Sequence, residues 1–140
     1  MRKALGVILG FVLALTICAC AGKQKKILLT QESQVKLRSI QSRVFDTTDR
    51  NLMLRTVIAT LQDLGFVIDD ADDILGTVSA TKLKGYSLRM TVSVRPRGDR
   101  QMIVRSNAQY NLQTVEDPEP YQQFFAALSK ALFLEAQQIE

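Results

Sequence analysis

Leu54, Val57, Ile58, Leu61 and Leu64 recur at helical spacing, which puts them on one face of an α-helix. Ahead of them, Asp46-Thr47-Thr48-Asp49 supplies N-cap oxygens and a carboxylate for the first turn. Gly65 stands at the C′ position, where Phe66 can fold back on Leu61. Upstream, Val35 to Phe45 is long enough for a strand, with Arg38, Ile40, Ser42 and Val44 on one face. Downstream, Phe66-Val67-Ile68 starts an extended segment, Asp69-Asp70-Ala71-Asp72-Asp73 makes a turn, and Ile74 to Lys82 is a further strand. Tyr86 to Arg95 alternates without a break. Tyr86, Leu88, Met90, Val92 and Val94 point one way, and Ser87, Arg89, Thr91, Ser93 and Arg95 the other. Pro96-Arg97-Gly98-Asp99 turns the chain, and Met102 to Leu112 runs back with Met102, Val104, Ala108, Tyr110 and Leu112 inward. Asp117-Pro118 caps a last helix with Pro in its first turn. Tyr121, Phe125, Leu128, Leu132 and Ile139 form its main stripe, widened by Phe124 and Phe133.

The order β-α-β-β-β-β-α predicts an α+β fold, an antiparallel sheet of four or five strands with two helices packed on one face. Strict alternation over residues 86–95 leaves the other sheet face to water or to a partner.

A different pattern opens the chain. Met1-Arg2-Lys3 is positive, and Ala4 to Ala19 is apolar except at Gly6, Gly10 and Thr16. A bilayer-spanning helix needs about 20 residues, so this run has the length of a signal-peptide apolar region. Ile17-Cys18-Ala19-Cys20 resembles the bacterial lipobox, with an aliphatic residue at −3 and a small residue at −1 before the acylated Cys. Cys18 fits poorly, because Ile17 is too large for −1; Cys20, preceded by Ala19, fits. The resemblance implies residues 1–19 as a lipoprotein signal peptide and a diacylglycerol thioether on Cys20. Several acyl chains, at about 0.8 kcal/mol per buried methylene, make such an anchor effectively permanent. Ala21 rather than Asp after the Cys implies, by the enteric sorting rule, the outer membrane, with the domain facing the periplasm.

Composition changes its meaning once this segment is set aside. The 140-residue chain is 46% apolar. Without residues 1–19, 51 of 121 residues are apolar, which is ordinary for one globular domain. The net charge drops from +4 to +2, since Arg2 and Lys3 leave too. Both cysteines lie in the signal region, so the remaining chain holds no disulfide and no nucleophilic thiol. The chain has no His, which excludes Ser-His-Asp and Cys-His catalysis and His-bearing zinc sites. No general base stands out beyond scattered carboxylates, and the reading is of a protein that is not an enzyme and needs no cofactor.

Residues 20–34 read as a lipidated Cys and a tether that spans at most ~50 Å, at about 3.3–3.6 Å per residue. Lys23, Lys25 and Lys26 suit a solvated linker or anionic headgroups, and Ile27-Leu28-Leu29 suits a short strand or a docking segment. Residues 35–140 read as a single α+β periplasmic domain.

One stretch resembles a known family. Leu61-Gln62-Asp63-Leu64-Gly65-Phe66-Val67-Ile68, then acidic residues, then Gly76-Thr77-Val78-Ser79-Ala80, is similar to the helix–Gly–strand–turn–strand pattern of BamC/NlpB-type lipoprotein domains. It also resembles a set of small Gram-negative outer-membrane lipoproteins in which a Phe-Asp-Thr segment, here Phe45-Asp46-Thr47, precedes such a helix. The resemblance covers residues 40–85 and implies a helix-grip fold, two helices on an antiparallel sheet. BamC-type proteins carry two such domains and a long partner-binding segment, so their partners do not transfer to a chain with one domain and a short tether.

Three groups are candidates for chemistry. Asp69, Asp70, Asp72 and Asp73 form the dense carboxylate group, but an EF-hand starting at Asp69 would put Ile74 and Ala80 where Gly and Glu are needed. They read as a solvated turn and not as a metal site. Ser79-Ala80-Thr81-Lys82 spells the Ser-x-x-Lys of penicillin-binding enzymes, where Lys activates Ser from one helical turn away. A strand throws the two side chains to opposite faces instead.

The third group is the polar sheet face, with Thr77, Ser79, Thr81, Ser87, Arg89, Thr91, Ser93, Arg95, Arg105, Asn107, Gln109 and Asn111. Arg89, Arg95 and Arg105 stand there without a carboxylate, and arginine forks suit phosphate and carboxylate groups. Such a face suits anionic headgroups, a glycan or an acidic partner in the envelope, or stands solvated with small β-formers and a few charges. Nucleic acid is a poor fit, because export removes the chain from it and the face carries no aromatic stacking platform.

These observations predict a lipid-anchored envelope protein that binds another envelope component in an assembly or structural role. Two alternatives are an accessory lipoprotein of a secretion or conjugation machine, and a carrier or sensor gripping a lipid or glycan between sheet and helices.

Overall fold

The computed structural model describes residues 33–83 and 87–137. The signal peptide, Cys20, nearly all of the tether, Tyr86 and Ile139 lie outside the described residues. From Leu37 onward the described residues pack as one unit. Among the described residues no helix is long and apolar enough to cross a membrane.

The elements are β1 (Ser42–Phe45), α1 (Arg50–Asp63), β2 (Val67–Asp72), β3 (Thr77–Leu83), β4 (Ser87–Arg97), β5 (Gln101–Tyr110), β6 (Gln113–Thr114) and α2 (Glu119–Gln137). All strands are antiparallel in the order β1-β5-β4-β3-β2, and the two-residue β6 pairs with β5 beside β1. The helices touch each other, α1 packs on β2, β3 and β4, and α2 packs on β5. This is the α+β arrangement that the alternation and helical stripes predict, with one short strand and the helical stretch 33–40 in addition.

Local signals place α1. Asp49 caps it, its Oδ1 accepting from the Leu52 N–H at 2.8 Å, so the expected carboxylate stands at the cap and the first turn holds no acidic residue. The other end is a Schellman motif, with Gly65 at φ +83, the Gly65 N–H donating to Gln62 O and the Phe66 N–H to Leu61 O, both at 2.9 Å. Met53, Leu54, Val57 and Leu61 are buried. Thr56 and Thr60 are buried too, because their hydroxyls turn back to the carbonyls of Leu52 and Thr56. Lys82 also closes this end of α1, its Nζ donating to Leu64 O at 2.7 Å and lying 5.6 Å from the Phe66 ring centroid.

The core fills from both sides. Val78, Met90, Val92, Val94 and Val104 line the sheet floor, and Tyr121, Phe124, Phe125 and Leu128 of α2 cover it. Each such side chain contributes roughly 1.5–3 kcal/mol when fully buried. Ser106 is the exception, fully buried on β5 opposite Val92 with no hydrogen-bond partner for its Oγ among the described residues. A desolvated hydroxyl without a partner costs about 1–3 kcal/mol. Ser106→Ala is therefore expected to raise the Tm by a few degrees in a thermal melt; a fall would show that the hydroxyl contributes to stability.

Several expectations need correction. Val35 to Phe45 is not one strand, since residues 33–40 are helical and only Ser42–Phe45 is extended. The reason lies on the edge of β5. Gln41 O still accepts the Ser106 N–H at 2.8 Å, but the next outward N–H, from Ala108, goes to the Tyr121 hydroxyl. With that edge position taken, an extended chain gains no ladder there, while Leu37 and Ile40 share a helical face and are half-buried. The acidic run is not one turn either. Asp69, Asp70 and Asp72 belong to β2, the register shifts between Ile68 and Asp70, and the reversal follows at residues 73–76. Ile74 and Leu75 consequently sit in the turn, exposed, rather than in β3.

Leu112 is not inward; it is 94% exposed, because Asn111 at φ +54 reverses the chain into β6. Pro118 stands just before Glu119 rather than in the first turn, and its carbonyl accepts the Gln122 N–H at 2.9 Å. Phe124 is a fully buried core residue, whereas Phe133 is 62% exposed near the far end of α2.

Candidate functional site

Antiparallel registry builds the outer sheet face in rows. One row runs Thr77, Ser93, Arg105, Ser42, a second Ser79, Thr91, Asn107, and a third Thr81, Arg89, Gln109. Their neighbours Val78, Val92 and Val104 are buried toward the helices, so alternation sends these rows the other way. Small hydroxyls pair across the strands, as between Ser79 Oγ and Thr91 Oγ1 at 3.3 Å. Asn111 lies off the rows, in the turn before β6.

The three arginines do not act as one group. Arg89 and Arg95 are six residues apart on β4, about 20 Å at roughly 3.3 Å per residue. Arg105 faces Ser93 while Arg95 faces Ile103, which makes Arg95 and Arg105 diagonal neighbours with roughly 7–8 Å between them. These two line a small cleft of about 230 Å³ with Ser93 and Ile103. Arg105 Nε donates to Ser42 Oγ at 3.4 Å. Among the described residues no carboxylate lies within 4.0 Å of the guanidinium of Arg95 or Arg105.

Nor is the whole face without carboxylates. Asp69, at the β2 irregularity, accepts from the Thr81 hydroxyl at 2.6 Å and lies 4.0 Å from Arg89 Nε. That contact is well exposed on both sides, and water screens it to little net value. The bulge turns an acidic residue of the edge strand onto the polar face, which places Arg89 in a mixed-charge neighbourhood. The positive charge that has no nearby carboxylate among the described residues is thus concentrated at Arg95 and Arg105. Cys20 falls outside the described residues.

The other sequence candidates fall as follows. Asp72 Oδ1 accepts the Leu75 N–H at 2.8 Å, closing the β2–β3 turn, and among the described residues no group of three or more His, Cys, Asp or Glu is placed to hold a metal. Ser79 is on the outer face with Thr91, while Lys82 is on the helix side with Leu64, so the Ser-x-x-Lys pair is split.

Two features had no sequence reading. Ile103 is an apolar residue on the outward alternation of β5, half-buried between Arg95 and Val44 across the sheet. Its position was readable from the alternation of Met102 and Val104. A second cleft, of about 520 Å³, opens on the helix side of the sheet near Lys82, Asp117 and Glu119. No sequence signal links Lys82 to residues 35 positions later. In comparison with known proteins, the chain matches no family model and no curated protein.

Proposed function

We propose that the chain is a non-enzymatic envelope lipoprotein, anchored through Cys20 in the outer membrane, whose domain binds another envelope component through the Arg95–Arg105 cleft. The observation that carries this reading is the pairing itself, two arginines on adjacent strands at one cleft without a carboxylate partner among the described residues. Two like charges held side by side repel, and an anionic group between them relieves the repulsion while accepting from both forks. Ile103 adds an apolar contact beside the charges. At about 230 Å³ the cleft is below the roughly 300–1,000 Å³ of small-molecule pockets, which favours an acidic side chain or phosphate group of a larger partner.

Two experiments test the parts separately. Palmitate labelling is expected in the wild type and absent in Cys20→Ala; retained labelling would overturn the anchor. A photo-crosslinker in place of Ser93 is expected to give a discrete adduct in cells. An arginine–anion hydrogen bond contributes roughly 1.5–3 kcal/mol, so Arg95→Glu or Arg105→Glu should lower the yield about tenfold or more. Arg89→Glu, on the mixed-charge side, should change it little. No adduct, or equal loss with all three variants, would sink the cleft as the binding site.

A further inference from the structure

We infer that the 520 Å³ cleft on the helix side of the sheet binds an amphiphile with one apolar chain and a zwitterionic phosphate–ammonium headgroup. The cleft lies on the opposite sheet face from Arg95 and Arg105, so it goes beyond the proposed function and neither depends on the other. Its volume is within the range of small-molecule sites. Leu64 and Phe66 at the end of α1 and Leu88 and Met90 of β4 form its apolar floor, the last three of them largely buried. This apolar floor lies beside the polar groups of Lys82, Asp117, Glu119 and Gln123, so the cleft suits a ligand with both an apolar and a charged part.

The charged groups select the headgroup. Among the described residues Lys82 Nζ holds one acceptor, Leu64 O, and an ammonium has three donors, which leaves two of them for a phosphate. Its position is held by that carbonyl and by the Phe66 ring. Asp117 and Glu119 line the same cleft at the start of α2. Asp117 Oδ1 accepts from the Glu119 N–H at 3.0 Å, and Glu119 Oε1 accepts from Gln123 Nε2 at 2.9 Å, which leaves acceptor sites on both carboxylates. Among the described residues neither carboxylate reaches Lys82 within ion-pair distance. Cation and carboxylates thus share a cleft without neutralising one another. A purely anionic headgroup would meet Asp117 and Glu119, and a purely cationic one would meet Lys82. A headgroup carrying both charges satisfies both walls.

The test uses the full chain in dodecyl maltoside micelles and two photoactivatable probes with the same single acyl chain, one a phosphoethanolamine and the other a phosphoglycerol. The phosphoethanolamine probe is expected to label peptides containing Phe66 or Leu88–Met90, at least fivefold more than the phosphoglycerol probe. Gln123→Trp, which blocks the cleft from the exposed side of α2, should lower labelling tenfold or more. Lys82→Met should also lower it, and its melting curve separates lost binding from lost folding. Asp117→Asn with Glu119→Gln keeps an Asx cap on α2 and should abolish the preference for phosphoethanolamine. Equal labelling by both probes, adducts elsewhere, no adducts, or labelling unchanged in Gln123→Trp would each overturn the inference. The Ser93 crosslink is read independently of all of these outcomes.

Discussion

Replacing Gly76 with Ala is expected to destabilise the domain by about 3 kcal/mol, the sum of two effects at one position. Gly76 has φ +69, where an L side chain costs roughly 1–2 kcal/mol. An added Cβ would stand 2.6 Å from the Val94 carbonyl oxygen and 2.8 Å from Arg50 Nη2. Neither neighbour can retreat cheaply. The Val94 N–H donates to Gly76 O at 2.8 Å, tying the turn to β4. Arg50 reaches from the first turn of α1 to donate to the carbonyls of Asp73 and Ile74, the latter at 2.7 Å. The guanidinium thereby pins the β2–β3 turn to the helix. At about 4–8 °C per kcal/mol for a domain of this size, the Tm should fall by roughly 15 °C. A Gly76→Ala protein melting within 3 °C of wild type would refute the pinned turn.

Tyr121→Phe is expected to cost about 2–4 kcal/mol, although it removes a single oxygen. The fully buried Tyr121 hydroxyl donates to Val115 O at 2.7 Å and accepts the Ala108 N–H at 3.2 Å. Gln41 Nε2 also donates to it, at 3.2 Å. It stands between β1 and β6 on the edge of β5 and bridges backbone groups that no strand reaches. Phe leaves a buried donor deprived and an acceptor weakened, each costing roughly 1–3 kcal/mol. Val115 O loses a bond while the Val115 N–H keeps its own to Ala108 O, which moderates the total. Amide hydrogen exchange adds a local reading, with Ala108 expected to exchange faster while Met90 and Val92, inside the sheet, follow global unfolding. Unchanged exchange at Ala108 would mean that the hydroxyl is not its partner.

How much was legible follows from how far each signal reaches. The α1 face, its Asp49 cap, its Gly65 stop and the alternation of β4 are set by residues within one or two turns, or on one pleated strand. These were readable to within a residue or two. The errors cluster where a distant group competes for the backbone. Residues 33–40 follow an alternating polar pattern but form a helix, because Tyr121 takes the β5 edge that a longer strand would need. Leu112 fits the β5 alternation yet lies beyond the Asn111 reversal. On the outer face, membership was legible but grouping was not. The alternation puts all three arginines on one side, whereas only the register of β4 against β5 sets Arg95 beside Arg105 and leaves Arg89 with Asp69.

The sequence by itself determined α1, α2 and the inward side of β3, β4 and β5, the absence of histidine and the expectation of a lipid anchor at Cys20. All of these rest on periodicity, on turn residues or on composition, which are properties of neighbouring positions. The tertiary structure decided where β1 begins, which arginines share a cleft, and that Lys82, Asp117 and Glu119 line a second one. Those depend on strand register and on the seating of two helices against the sheet. Register and seating are chosen by the packing of the whole core, so no local stretch of residues encodes them.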